Sequence, residues 1–142
     1  DKGDGQKFVE YANSLRGTKW GLIFTFYDAF CCFNTAAVRE IGEWDWRALP
    51  WYHADSDYYR RLKLAGFTHE HIDLNVRHTP SQTRAADTSI NRMVETQIKE
   101  SEVYYRTKWG GPPDHEIFNA PFNGEAVPYP SSIVTPPGSR ES

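Results

Sequence analysis

Polar and apolar positions alternate with two different periods along this chain, and those periods predict its elements. After a polar opening, "QKFVEYANSL" predicts a short helix. "WGLIFTFYDAFCCF" follows, dense in aromatic and β-favouring residues, and reads as one or two buried strands around Tyr27–Asp28. "NTAAVREIG" is a short helix: Asn34 caps its start, Ala37 and Ile41 share a face, and Gly42 ends it. A helix is predicted from about Ser56 to Ala65, with Tyr58, Leu62 and Ala65 on one face and Gly66 as its stop. In "HIDLNVRH", Ile72, Leu74, Val76 and His78 point one way, as in a strand ended by Thr79–Pro80. A longer helix runs from about Thr88 to Arg106, with Ile90, Met93, Val94 and Ile98 as its buried stripe, and "KWGGPP" stops it. These elements make an α/β or α+β arrangement with a small mixed sheet over residues 1–111. Pro- and Gly-rich residues 112–142 are expected to form an extended tail.

Between the short helix and the Ser56 helix lies "EWDWRALPWYHAD", a loop with three tryptophans. Loops normally face water, so one this apolar either folds over a core or lines a pocket. The whole chain is rich in aromatic residues, at 15%, which fits either a dense core or a surface that stacks on sugar-like ligands. A net charge of −3 argues against a general nucleic-acid binder. No apolar run is long enough to span a bilayer. The adjacent Cys31 and Cys32 are expected to be buried thiols, because neighbouring cysteines bond each other only with strain. The chain opens on Asp1 and is expected to be part of a longer polypeptide.

The chemistry concentrates in "HADSDYYRR". Asp55 and Asp57 both fall at a helix N-terminus, where the helix dipole and free N–H groups stabilise a carboxylate. Asp55 also suits a second role, as a carboxylate on a rigid element that takes a proton from a substrate hydroxyl. Asp57 lies one turn from Arg60 and Arg61 and is expected to brace one of them or to cap the helix. His78, at the end of its predicted strand, has the position of many α/β ligand sites, and its neutral imidazole is a common metal ligand.

In order, "FYDAFCCFNTAAVREIGEWD", "YHADSDYYRRLKLAGF", "VRH", "PSQT" and "YYRTKWGG" resemble the C-terminal, acceptor-binding half of a GT-A-fold glycosyltransferase similar to family 2. The resemblance covers about residues 20–120. It implies that Asp55 is the general base of an inverting transfer, with Asp57, Arg60 and Arg61 in support. It implies that His78 is a ligand of a nucleotide-bound divalent metal, Mn or Mg. Gly42 and Asp45 match the family's Gly-x-x-Asp step. Trp44, Asp45, Trp46, Trp51 and Tyr52 would line the acceptor side.

Two departures stand out: Ala54 occupies the place of the family's Glu, and the nucleotide-binding half with its Asp-x-Asp is absent from these residues. The implied partners are a nucleotide-sugar donor, a sugar or other hydroxyl acceptor, and the missing half. Self-association through an exposed edge is the alternative to that last partner, with "GLIFTF" as the expected edge. A non-catalytic carbohydrate- or protein-binding module derived from such an enzyme is the alternative function.

Overall fold

A computed structural model describes residues 2–46, 52–79 and 87–125. The elements are α1 (Lys2–Ser14), β1 (Trp20–Thr25), β2 (Tyr27–Phe33), α2 (Thr35–Ile41), α3 (Ala54–Leu64), β3 (Thr68–His71), α4 (Thr88–Trp109) and a 3-10 turn (Pro121–Gly124). This is a mixed α/β chain of the α+β type. It divides into two compact units, one over residues 1–43 and 58–88, the other over 44–57 and from 89 onward.

The first unit is built on a three-stranded sheet of order β2-β1-β3. β1 and β2 form an antiparallel hairpin, and β3 lies parallel to β1. The expected exposed edge is therefore corrected: "GLIFTF" is the central strand, and β2 and β3 are the edges. Apolar residues on both faces of β1 are the cause, since such a strand is stable only between two layers. On one face, Leu22, Phe24, Cys31 and Phe33 pack against Ala37 and Ile41 of α2, Tyr58 and Leu62 of α3, and Phe67. On the other, Ile23 and Cys32 pack against Phe8, Tyr11 and Ala12 of α1 and against Leu74. Cys31 and Cys32 thus point to opposite faces. Neither forms a disulfide, and both are only partly buried, where burial was expected. Burial pushes the Cys32 thiol up, partly offset by a backbone hydrogen bond from Ile23.

The cap read from the sequence at Asn34 is in place. Asn34 accepts from the Ala36 amide at 2.9 Å and donates to the Trp20 carbonyl at 2.9 Å, tying α2 to the sheet. Tyr58 donates to the Gly42 carbonyl at 3.1 Å, so α3 closes over the end of α2.

β1 carries one extra residue against β3: Trp20 pairs with Thr68, but Leu22 pairs with His69. The bulge falls at Gly21, which explains why Trp20 and Ile23, three apart, share a face. A Cβ at Gly21 would stand 2.7 Å from Leu62 Cδ2 and 2.8 Å from Phe67 Cβ. Gly21→Ala is therefore expected to destabilise this unit by about 1–3 kcal/mol, read by denaturant unfolding, because α3 must lift off the sheet. An unchanged midpoint would show that α3 yields freely here.

The strand predicted at Ile72–His78 is also corrected. β3 is Thr68–His71, and residues 72–79 have no regular structure. The alternation marks burial only as far as Val76: Leu74 is buried with Ile72 and Val76 packed beside it, whereas His78, expected on the same face, is exposed. It does not produce a ladder, because β1 runs out: the Ile72 amide donates to the Phe24 carbonyl at 2.9 Å, and one residue later β1 turns towards β2.

On β3, His69 lies edge-on to the Tyr59 ring at 5.4 Å, with its Nε2 buried and without a hydrogen-bond partner among the described residues. Burial, and secondarily Lys63, lower its pKa from the ordinary 6.5. The folded state thus favours neutral imidazole, and the unfolded chain takes up the proton more readily. This contribution to stability is complete above pH 6.5 and is lost as pH falls towards the lowered value. The melting temperature should fall between about pH 7 and about pH 5, and His69→Gln should flatten part of that slope. An identical slope in the variant would remove His69 as the cause.

Candidate functional site

The second unit contains the Trp-bearing segment from Trp44, the first turn of α3, and α4 with the chain that follows it. α3 begins at Ala54, two residues earlier than the sequence suggests. His53 precedes it in a left-handed conformation, φ 62°, and its carbonyl accepts from the Asp57 amide at 2.8 Å. Asp55 therefore lies inside the first turn and is not the capping residue. Both carboxylates keep the favourable interaction with the helix dipole.

Two positions apart on a helix means about 200° of rotation, and the two carboxylates lead different lives. Asp57 is fully buried. Its Oδ1 accepts from Trp109 Nε1 at 2.9 Å and pairs with Lys108 Nζ at 2.6 Å. The same ammonium reaches Asp45 Oδ2 at 2.6 Å, where Tyr104 also donates from its hydroxyl at 3.0 Å. One buried cation is thus shared by two carboxylates, each also holding a neutral donor. Asp55 is partly exposed, and among the described residues no hydrogen bond or ion pair engages its carboxylate.

α4 supplies the other half of this arrangement. Tyr104 and Lys108, and Tyr105 and Trp109, are i, i+4 pairs on adjoining rows of one face. Tyr105 and Trp109 are fully buried, with Ala54 packed on them. Tyr105 donates from its hydroxyl to Glu116 at 2.5 Å, and the His53 ring lies 5.4 Å from the Tyr105 ring. The stripe expected on α4 is only partly right. Val94 is buried, but Met93 is 42% exposed, and the buried face continues through Ser101 to Trp109.

The helix ends at Gly110–Gly111, where the chain doubles back. Ile117 and Phe118 amides both donate to the Trp109 carbonyl, at 3.1 and 3.0 Å. A Cβ on Gly110 would meet Ile117 and Phe118, and one on Gly111 would strike the His115 carbonyl. The expectation of an extended tail from Pro112 is accordingly modified: residues 112–125 fold back along α4, with Phe122 edge-on to Tyr104 at 5.7 Å. Residues 126–142 lie outside the described residues.

Of the other expected site residues, Trp46 is 52% exposed, Trp44 is 37% exposed, and Tyr52 is partly buried. Trp51 lies outside the described residues. The expected bracing of an arginine by Asp57 gives way, for Arg61, to a different task. Arg61 donates to the Ile41 and Glu43 carbonyls at 2.9 and 2.8 Å, holding the end of α2. Arg60 is partly buried on the same helix. Asp55 and His78 belong to different units. His78 is exposed, seven residues beyond the end of β3, and tilted against the Phe26 ring at 6.3 Å. Its imidazole suits a single metal ligand. Among the described residues, no group of three His, Cys, Asp or Glu side chains gathers to hold an ion. No helix among them is long and apolar enough to cross a membrane.

Sequence reading missed Lys108 and Trp109 as partners of Asp57. The available signal was a lysine inside an aromatic helix row, since a lysine is rarely buried unless it is paired. No protein-family model, curated protein or solved structure matches the chain.

Proposed function

We propose that this chain is the acceptor-side, catalytic-base half of an inverting glycosyltransferase of the GT-A type, with Asp55 as the base. The observation that carries the reading is the contrast between the two acids. Asp57 is buried and engaged by α4, which fixes the first turn of α3, while Asp55 on that same turn is partly exposed and unengaged among the described residues. A positioned carboxylate without a structural partner is what proton abstraction from an acceptor hydroxyl requires. As the acceptor oxygen bonds to the anomeric carbon, the bond from that carbon to the diphosphate breaks. Its electron pair leaves on the phosphate oxygen, and the hydroxyl proton passes to Asp55.

Trp44, Trp46, Trp51 and Tyr52 are the proposed acceptor contacts, since aromatic faces suit the apolar faces of sugar rings. The donor nucleotide would be held by residues outside this chain, so the chain alone would be inactive. A half of that kind would join along β2 or β3, the edges of the sheet. The reading includes a divalent metal, Mn or Mg, in the full-length enzyme. It would neutralise charge on the leaving diphosphate, and His78 is the one ligand proposed from this chain.

The test is glycosyl transfer by Asp55→Asn in the full-length enzyme, where near-complete loss is expected and wild-type transfer would end the reading. A second reading, a non-catalytic carbohydrate-binding module, is favoured by the exposure of Trp44 and Trp46. In that case, glycan binding by the 142-residue chain would fall with Trp46→Ala and be indifferent to Asp55→Asn.

A further inference from the structure

Lys108 lies at the centre of the second unit with its side chain only 7% exposed, between two carboxylates that come from different parts of the chain. Asp45 belongs to the Trp-bearing segment, between Trp44 and Trp46. Asp57 belongs to the first turn of α3, two residues after Asp55. Both ion pairs are 2.6 Å long, and the ammonium also lies 5.8 Å from the Tyr104 ring and 5.6 Å from the Trp109 ring. Desolvating two acids around one cation is costly, and a single apolar contact could hold these segments more cheaply. An ion pair adds a fixed register: the ammonium must satisfy both acids, so their separation cannot drift without breaking a short charged contact.

We propose that Lys108 is a positioning residue. By pairing with Asp45 and Asp57 at once, it fastens the Trp44–Trp46 segment to the turn that carries Asp55, so that the aromatic residues and the carboxylate are presented together to one acceptor. The proposal rests on the glycosyltransferase reading above. It makes Asp45 part of the clamp, where the resemblance implies an acceptor contact. Lys108 touches no reacting atom in this arrangement. It acts through Asp45 and Asp57.

Asp45→Asn tests the clamp with little change of shape. It removes one charged partner, leaves the Lys108–Asp57 pair intact, and retains an acceptor oxygen for Tyr104. In the 142-residue chain, hydrogen exchange of the backbone amides at 44–46 should quicken about tenfold or more, with α4 amides near wild type. In the full-length enzyme, the KM for the acceptor should rise about tenfold, with a smaller fall in kcat and an unchanged KM for the donor. Unchanged exchange at 44–46 would overturn the clamp. Faster exchange with unchanged acceptor KM would overturn the positioning role and leave a purely structural pair. Asp55→Asn, assayed in parallel, separates the two failures. If that variant still transfers sugar, the underlying reading falls, and the positioning role falls with it. If it is inactive while Asp45→Asn matches wild type, only the clamp is lost.

Discussion

On the glycosyltransferase reading proposed above, Asp55→Asn is expected to lower glycosyl transfer by the full-length enzyme by about a hundred- to ten-thousand-fold. Donor affinity and melting temperature should stay close to wild type. Asn has nearly the shape of Asp but cannot accept the acceptor's proton at neutral pH. The substitution breaks no hydrogen bond or ion pair among the described residues. What it removes structurally is the interaction of one charge with the N-terminal end of α3, about 0.3–1 kcal/mol. The two roles of Asp55 therefore predict the same small loss of stability and differ in rate. A base loses nearly all transfer. A carboxylate kept only for the helix dipole keeps its rate. Parallel measurement of transfer rate, donor affinity and thermal unfolding decides between them, and unchanged transfer would remove Asp55 from the chemistry.

Lys108→Met is expected to have the largest effect on stability. Methionine fills similar volume but leaves Asp57, fully buried, and Asp45 without their shared cation. Removing one member of a buried pair typically costs about 3–5 kcal/mol, chiefly because a buried charge is left uncompensated. For a chain of this size that corresponds to a fall of roughly 10–20 °C in the melting temperature. Trp109 still donates to Asp57, and Tyr104 to Asp45, which limits the loss. The triple change Lys108→Met, Asp45→Asn and Asp57→Asn should recover much of the stability, because no unpaired buried charge then remains. A single Lys108→Met variant that melts with wild type would show that water or other groups reach these acids readily.

The periods of polar and apolar residues determined much of the local structure. α2 with its Asn34 cap, the apolar face of α3 at Tyr58 and Leu62, and the burial of Leu74 all follow from side chains competing locally for water or for the backbone. The acidic motif at Asp55 and Asp57 was equally legible, as was the aromatic character of the segment before it. What these patterns could not decide was pairing. Whether Ile72–Val76 forms a ladder depends on how far β1 extends beside it, and "GLIFTF" becomes a central strand only because β3 returns parallel to it across a helix. Two aspartates two positions apart look alike in sequence. The tertiary structure separates them, because Lys108 and Trp109, about fifty residues away, surround one of them. Short-range periodicity reports which side chains leave water. The partner a buried charge or a strand edge finds is set by long-range packing, where the free energy depends on groups that no local window contains.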